Sequence, residues 1–289
     1  MYEDWAHLRI MNGRASTVLP LLGIVALAIG MVIWVWVGFH PPAPELAHSD
    51  EQTAAEKWLA ANVPYESRVT ADAFVTSDLV RAGRVRPEPV DYIRICSSVD
   101  GSLPFGSWRD FDYLVSTAST RVDSAILPPL EQALRSSIAV AIFGSGSHRV
   151  EVRQILPRGI DGVDVRRSAD AQARRRAEAA LLHNRRVLVD LAAVGVLEAG
   201  GLDLRAATVL ALMADRELLR VDAIDSDPAE TAARLPARTV EITVTQPTLV
   251  ADTVRGLPTD YRPQLVRTLG PMRSQLVWPI AVAPVLPVT

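Results

Sequence analysis

From Val18 to Phe39 the chain reads VLPLLGIVALAIGMVIWVWVGF, and no charged residue stands between Arg14 and Glu45. A helix rises ~1.5 Å per residue, so about 20 such residues cross the hydrocarbon core of a bilayer. The run therefore predicts a transmembrane helix over 18–39, and that helix constrains where the rest of the chain can fold. Trp34 and Trp36 stand near its C-terminal end, where indole rings favour the interface, and Pro41-Pro42 then stops it. Arg9 and Arg14 precede the run, whereas the first positive residue after it is Lys57, beyond Glu45, Asp50 and Glu51. The positive-inside rule then makes 1–17 a cytoplasmic tail and places the C-terminal body outside the cell membrane. A cleaved signal peptide is the competing reading. It fits less well, because its apolar core would be about 7–15 residues and would lead to a small-x-small site.

The 289 residues exceed what one small core occupies, so two modest extracytoplasmic domains are expected beyond the span. A net charge of -3 argues against a nucleic-acid partner, which requires a cationic surface. Lys57 is the only lysine, so the positive charge is almost all arginine. That bias reads as GC-rich bacterial coding, with anion recognition as the alternative. The single cysteine, Cys96, closes no intramolecular disulfide and has no second thiol for a metal pair.

After a Pro-rich spacer at 40–49, Ser49 or Asp50 should cap a helix running to Asn62. Strands are expected at Arg68–Ala71, Val90–Cys96 and Tyr113–Ser116, and helices at Thr76–Ala82, ended by Gly83, and at Pro129–Ser136. Ile138–Gly144 and Arg149–Ile155 read as a hairpin across Ser145–His148, which gives a first α/β domain over 50–157. A second α/β domain, helical in its first part, is expected over 158–289. Its helices are read at Ala169–His183, Val187–Glu198, Leu204–Ala214 after a capping Asp203, and Leu249–Arg255; its strands at Leu218–Ile224, Thr239–Thr245 and Gln275–Ile280. The fold class expected for the body is α/β, with α+β as the alternative.

Several stretches of the first domain carry a family resemblance. They are W-L-A-A-N-V-P at Trp58–Pro64, D-x5-D-L-V-x-A-G at Asp72–Gly83, W-R-D-F-D-Y-L-V-S-T at Trp108–Thr117, Arg121, A-L-x-S-S-I-A-V-A-I-F-G-S-G at Ala133–Gly146 and R-V-E-V-R at Arg149–Arg153. In order and spacing over 58–155 they resemble the soluble C-terminal domain of bacterial membrane glycosyltransferases of the dolichyl-phosphate-mannose (GT-C) type. Such transferases have many transmembrane helices and carry their acidic catalytic residues near the start of that membrane part. Here one apolar span stands in its place, so the resemblance implies an accessory role and not transferase activity.

Asp72 and Asp78 fall near the ends of an expected strand and helix, where an α/β sheet often holds ligands, although a turn and a helix first turn account for them equally. Trp108, Asp112 and Tyr113, with Asp110 between them, have the composition of a sugar-stacking platform with acidic acceptors; core packing is the competing reading. Arg174, Arg175 and Arg176 form the most basic stretch, suited to anionic lipid headgroups or an anionic wall polymer, or simply to a solvated helix face. GSGSH at Gly144–His148 lacks the strand-then-helix setting of a phosphate loop and reads as a turn. No G-x-S-x-G elbow and no paired ligand spacing is present, so no catalytic residue, metal or cofactor is assigned.

Three functional readings follow. The first is a non-catalytic membrane-anchored protein accessory to cell-envelope glycan or polymer assembly, with the bilayer and a polytopic glycosyltransferase or polymer-assembly complex as partners. The second is a carbohydrate-binding or sensing module. The third is a glycosyltransferase-related enzyme whose site is built from scattered carboxylates.

Overall fold

The computed structural model describes residues 49–81, 90–92 and 107–281. The apolar run 18–39, Gly83, Cys96 and the end of the strand read at Val90–Cys96 lie outside the described residues. Among those described, no helix is long and apolar enough to cross a membrane. From Ser49 onward the chain packs as one compact unit of mixed α/β structure with two five-stranded sheets.

Helix α1 spans Asp50–Asn62 and starts on a capping box in which Ser49 Oγ accepts the Gln52 N–H while Gln52 reaches back to the Ser49 N–H. Strand β1 (Val69–Ala71), helix α2 (Ala73–Arg81) and strand β2 (Val90–Tyr92) follow, with β1 and β2 parallel. A 3-10 turn at Trp108–Asp110 leads into β3 (Tyr113–Ser116), which lies parallel to β1 on its other side. Helices α3 (Ala118–Asp123) and α4 (Pro128–Arg135) precede β4 (Ser137–Phe143) and β5 (Val150–Ile155), antiparallel across the turn at Gly146–His148. The order is β2-β1-β3-β5-β4. Side chains alternate across β3, so Tyr113 and Val115 join Trp58 and Leu59 of α1 in one core while Leu114 packs with Trp108, Phe111 and Leu130 in a second.

The second sheet begins after the long helix α5 (Val163–His183), which starts six residues before the expected Ala169 on a left-handed Gly162. The segment Val187–Glu198, read as one helix, is instead strand β6 (Val187–Val189) and helix α6 (Leu191–Glu198). Asp190 makes the division: its side chain accepts the Ala192 N–H and caps α6, while Val187–Val189 pair in parallel with β7 (Leu219–Asp225). Helix α7 (Leu204–Arg216) starts on its Asp203 cap, and α8 (Pro228–Ala232), which the sequence reading missed, lies between β7 and β8 (Thr239–Val244). Helix α9 (Thr248–Gly256), β9 (Leu265–Thr268) and β10 (Arg273–Val277) complete the order β6-β7-β8-β10-β9. The edge strand β9 was also unforeseen, since all four of its residues are exposed and no apolar alternation marks it.

The sheets are joined by short α8. Ala229 enters the core of the first sheet, and Glu230, fully enclosed, binds both halves. Its Oε1 accepts Trp58 Nε1 at 3.2 Å and Arg238 Nη2 at 2.7 Å, and its Oε2 accepts Arg238 Nε at 2.8 Å. Arg238 also donates to the Trp278 carbonyl at 2.8 Å and to Asn62 of α1. Every nitrogen of a buried guanidinium is thereby occupied, the condition under which a buried ion pair is tolerated.

Candidate functional site

Because β1 continues into β2 on one side and lies against β3 on the other, the C-terminal ends of β1 and β3 flank a switch point of the kind where open α/β sheets hold ligands. Asp72 stands there, buried. Its Oδ1 accepts the Val75 N–H at 3.1 Å, and its Oδ2 accepts Thr117 Oγ1 at 2.7 Å and Ser119 Oγ at 3.0 Å. Burial, and then the charge of Asp72, push the Asp123 carboxyl above its ordinary range. These bonds tie the starts of α2 and α3 together. Asp78 is the sixth residue of α2, not in a first turn, and it pairs with Arg81 at 2.9 Å.

The aromatic and acidic residues around β3 are dispersed. Trp108 is 6% exposed, its Nε1 bonded to Gln132 Oε1 at 2.9 Å and its ring covered by the Arg109 guanidinium at 4.4 Å. Tyr113 faces the opposite core, where burial, with a smaller contribution from Asp112, pushes its hydroxyl up to about 12. The two rings thus lie on opposite faces of the sheet and share no platform. Asp112 sits at the N-terminal end of β3, away from Asp72, and its Oδ2 accepts the Arg68 N–H at 2.9 Å; Asp110 closes the capping box of the Trp108 turn.

The arginine stretch is divided differently. Asp164, Arg167, Ala171, Arg174 and Arg175 recur at three- and four-residue spacing on one face of α5 and border a cleft of about 560 Å³. The opposite wall comes from the start of α7 (Asp203, Leu204, Arg205) and from Arg234–Pro236 after α8. Arg176 is exposed and lies outside it. Five arginines thus meet three aspartates, Asp164, Asp170 and Asp203. Arg174 pairs with Asp170 at 2.9 Å, and burial pushes the Asp170 carboxyl up against the opposing pull of Arg174. Arg205, 4% exposed, grips Asp203 through Nε at 2.9 Å and Nη2 at 2.7 Å and reaches the Pro279 carbonyl at 2.5 Å.

Arg234 occupies an unusual backbone position. Its φ is 61°, the only positive value at a non-glycine residue among those described, and it follows the C-cap of α8, with its N–H bonded to the Thr231 carbonyl and that of Leu235 to the Glu230 carbonyl. Helices commonly end this way with glycine, and another residue there costs about 1–2 kcal/mol. Arg234 borders both the cleft and a neighbouring opening of about 380 Å³ that includes Arg149 and the Gly144–Gly146 turn.

Behind Arg174 and Arg175, Glu178 is fully buried. Its Oε1 accepts the Leu202 N–H at 2.5 Å, its Oε2 has no hydrogen-bond partner, and burial pushes the carboxyl up to about 7 despite that bond and the two arginines. The approach of α5 to this point requires Gly200. With φ 72° it ends α6, and a Cβ there would stand 2.6 Å from Arg175 Cγ. Of the cleft residues, Arg205 and Arg234 escaped sequence reasoning. Arg205 had a signal in its place just after the capping Asp203; a lone Arg234 between Ala233 and Leu235 had none. Comparison with protein-family models, with curated proteins and with solved structures yields no significant match for this chain.

Proposed function

We propose that the protein is a membrane-tethered, extracytoplasmic factor accessory to cell-envelope glycan or polymer assembly. The observation that supports this reading most directly is the fastening of α1. The helix that follows the 40–49 spacer is held through Trp58 to Glu230 and through Asn62 to Arg238, so the spacer runs into a fixed body rather than a loose domain. Ten extended residues at ~3.3–3.6 Å each reach at most roughly 35 Å, which keeps that body close to the bilayer once the 18–39 run is inserted. The resemblance of 58–155 to a glycosyltransferase C-terminal domain implies the same neighbourhood, with a polytopic membrane protein as partner.

The test is photo-cross-linking in intact cells from the exposed position Leu191, followed by mass spectrometry. Recovery of a polytopic transferase or polymer-assembly protein is the expected result. Recovery of only the protein itself, under conditions that capture known membrane complexes, overturns the proposal.

A further inference from the structure

The cleft between α5 and the start of α7 holds more positive charge than its own carboxylates neutralise. Arg174 is matched by Asp170, and Arg205 by Asp203 and a carbonyl. Arg167, Arg175 and Arg234 also border the opening; none of them forms a salt bridge among the described residues, although the charge of Arg175 acts on the buried Glu178 behind it. Arg167 Nη2 is buried without a hydrogen-bond partner, an expensive state for a guanidinium nitrogen. Asp164 is the one lining carboxylate left over, and it is exposed. Arg234 keeps a long cationic side chain at a left-handed position where glycine is the unstrained choice, and the residue borders the cleft.

We infer that this cleft binds the phosphate group of a phosphoester, either a small soluble molecule or the headgroup of a phospholipid. Guanidinium forks match phosphate oxygens in pairs, and a phosphate offers more oxygens to three forks than a carboxylate does. Leu204 and Arg205, the first residues of 13-residue α7, form part of the wall beside the Asp203 carboxylate that caps that helix. The volume of about 560 Å³ is within the range of small-molecule pockets and admits an organic group attached to the phosphate. The inference stands on the charge of the cleft and goes beyond the accessory role: an empty cross-linking result leaves it intact, and a failed binding result leaves the accessory role intact.

The experiment uses full-length protein in phosphatidylcholine nanodiscs, with arginine modification by phenylglyoxal mapped by mass spectrometry. Titration with sn-glycerol 3-phosphate should protect Arg175 and Arg234 saturably, with Arg176 as the unprotected reference. Protection that appears only when phosphatidic acid is built into the nanodisc supports the inference and assigns the phosphate to a lipid headgroup; protection by the soluble ester alone assigns it to a soluble ligand. In calorimetric titration with whichever source protects, Arg175→Gln combined with Arg234→Gly should weaken binding at least tenfold, while Arg176→Gln stays within twofold of the parent protein. Absence of protection from both sources overturns the inference, and so does an Arg176→Gln loss equal to that of the double variant. The protection arm needs no substitution, so it decides the matter even where a variant fails to fold.

Discussion

The surroundings of β3 and the cleft along α5 are both rich in charged side chains, yet the fold uses them in opposite ways. Around β3, Asp72, Asp110 and Asp112 each accept backbone N–H groups or hydroxyls that fix a turn or a helix start, and Trp108 and Tyr113 are divided between two cores. In the cleft, Arg174 and Arg205 are neutralised, and Arg167, Arg175 and Arg234 border an opening whose one remaining carboxylate, Asp164, is exposed. A polar group whose every bond is internal holds the fold; one left over at a cavity is available to a ligand. The comparison moves the candidate site from the acidic and aromatic residues of the first sheet to the arginines of the second.

Removing one member of the Glu230–Arg238 pair should give the largest effect, because both halves meet on it. Arg238→Ala leaves a buried carboxylate whose remaining donor is Trp58 Nε1 and is expected to cost about 3–5 kcal/mol. Pulse proteolysis in urea measures it. A loss under about 1 kcal/mol would mean that the sheets hold together without the pair and that the fixed-body argument fails. Trp108→Ala should follow at about 3 kcal/mol through lost core packing and an orphaned Gln132. If Trp108 instead served a glycan, the substitution would abolish glycan-array binding and leave the urea midpoint unmoved.

The elements were largely legible in the chain. Tyr113–Ser116 is where the sequence places a strand, because three successive apolar or β-forming residues, Tyr113, Leu114 and Val115, follow a turn, and α1 begins on the Ser49 cap that its sequence advertises. Val187–Val189 was absorbed into a helix because three residues carry no period, and only the partner strand β7 tells them apart. The charges of the cleft were half legible. Arg174 and Arg175 stand out as a run, but which arginine of a run faces inward depends on helix phase relative to α7, and Arg234 arrives from 59 residues beyond Arg175. Likewise Trp108 and Tyr113 are close in sequence, but the turn at Trp108–Asp110 seats Trp108 with Leu114, while the pleat of β3 sends Tyr113 to the other side.

Glu178 offers a test of the cleft side by pH. Its carboxyl is raised from 4.5 to about 7, so the folded state holds the proton more tightly than the unfolded chain does. The stability this confers is present in full below about pH 4.5 and is lost as pH rises toward 7, an effect on the order of 3 kcal/mol. Glu178→Gln keeps an acceptor for the Leu202 N–H and removes the titration, so the melting temperature of the variant should flatten between pH 5 and 7 and exceed that of the parent at pH 8. A parent protein whose melting temperature rises over that window would contradict the assignment.

The smallest expected change is the most discriminating. Arg234→Gly relieves a left-handed backbone worth about 1–2 kcal/mol, while the added freedom of glycine in the unfolded chain takes back about 0.5–1 kcal/mol. The variant should therefore be more stable by about 0.5 kcal/mol, read as a small rise in the urea midpoint. It should at the same time bind phosphoesters more weakly, because one of the three guanidinium groups outside the cleft's salt bridges is gone. A residue that serves only the fold cannot give both results: if Arg234 held the loop by its side chain, stability would fall, and if it were idle, binding would not change. Stability and affinity moving in opposite directions would mark Arg234 as a residue kept for what enters the cleft.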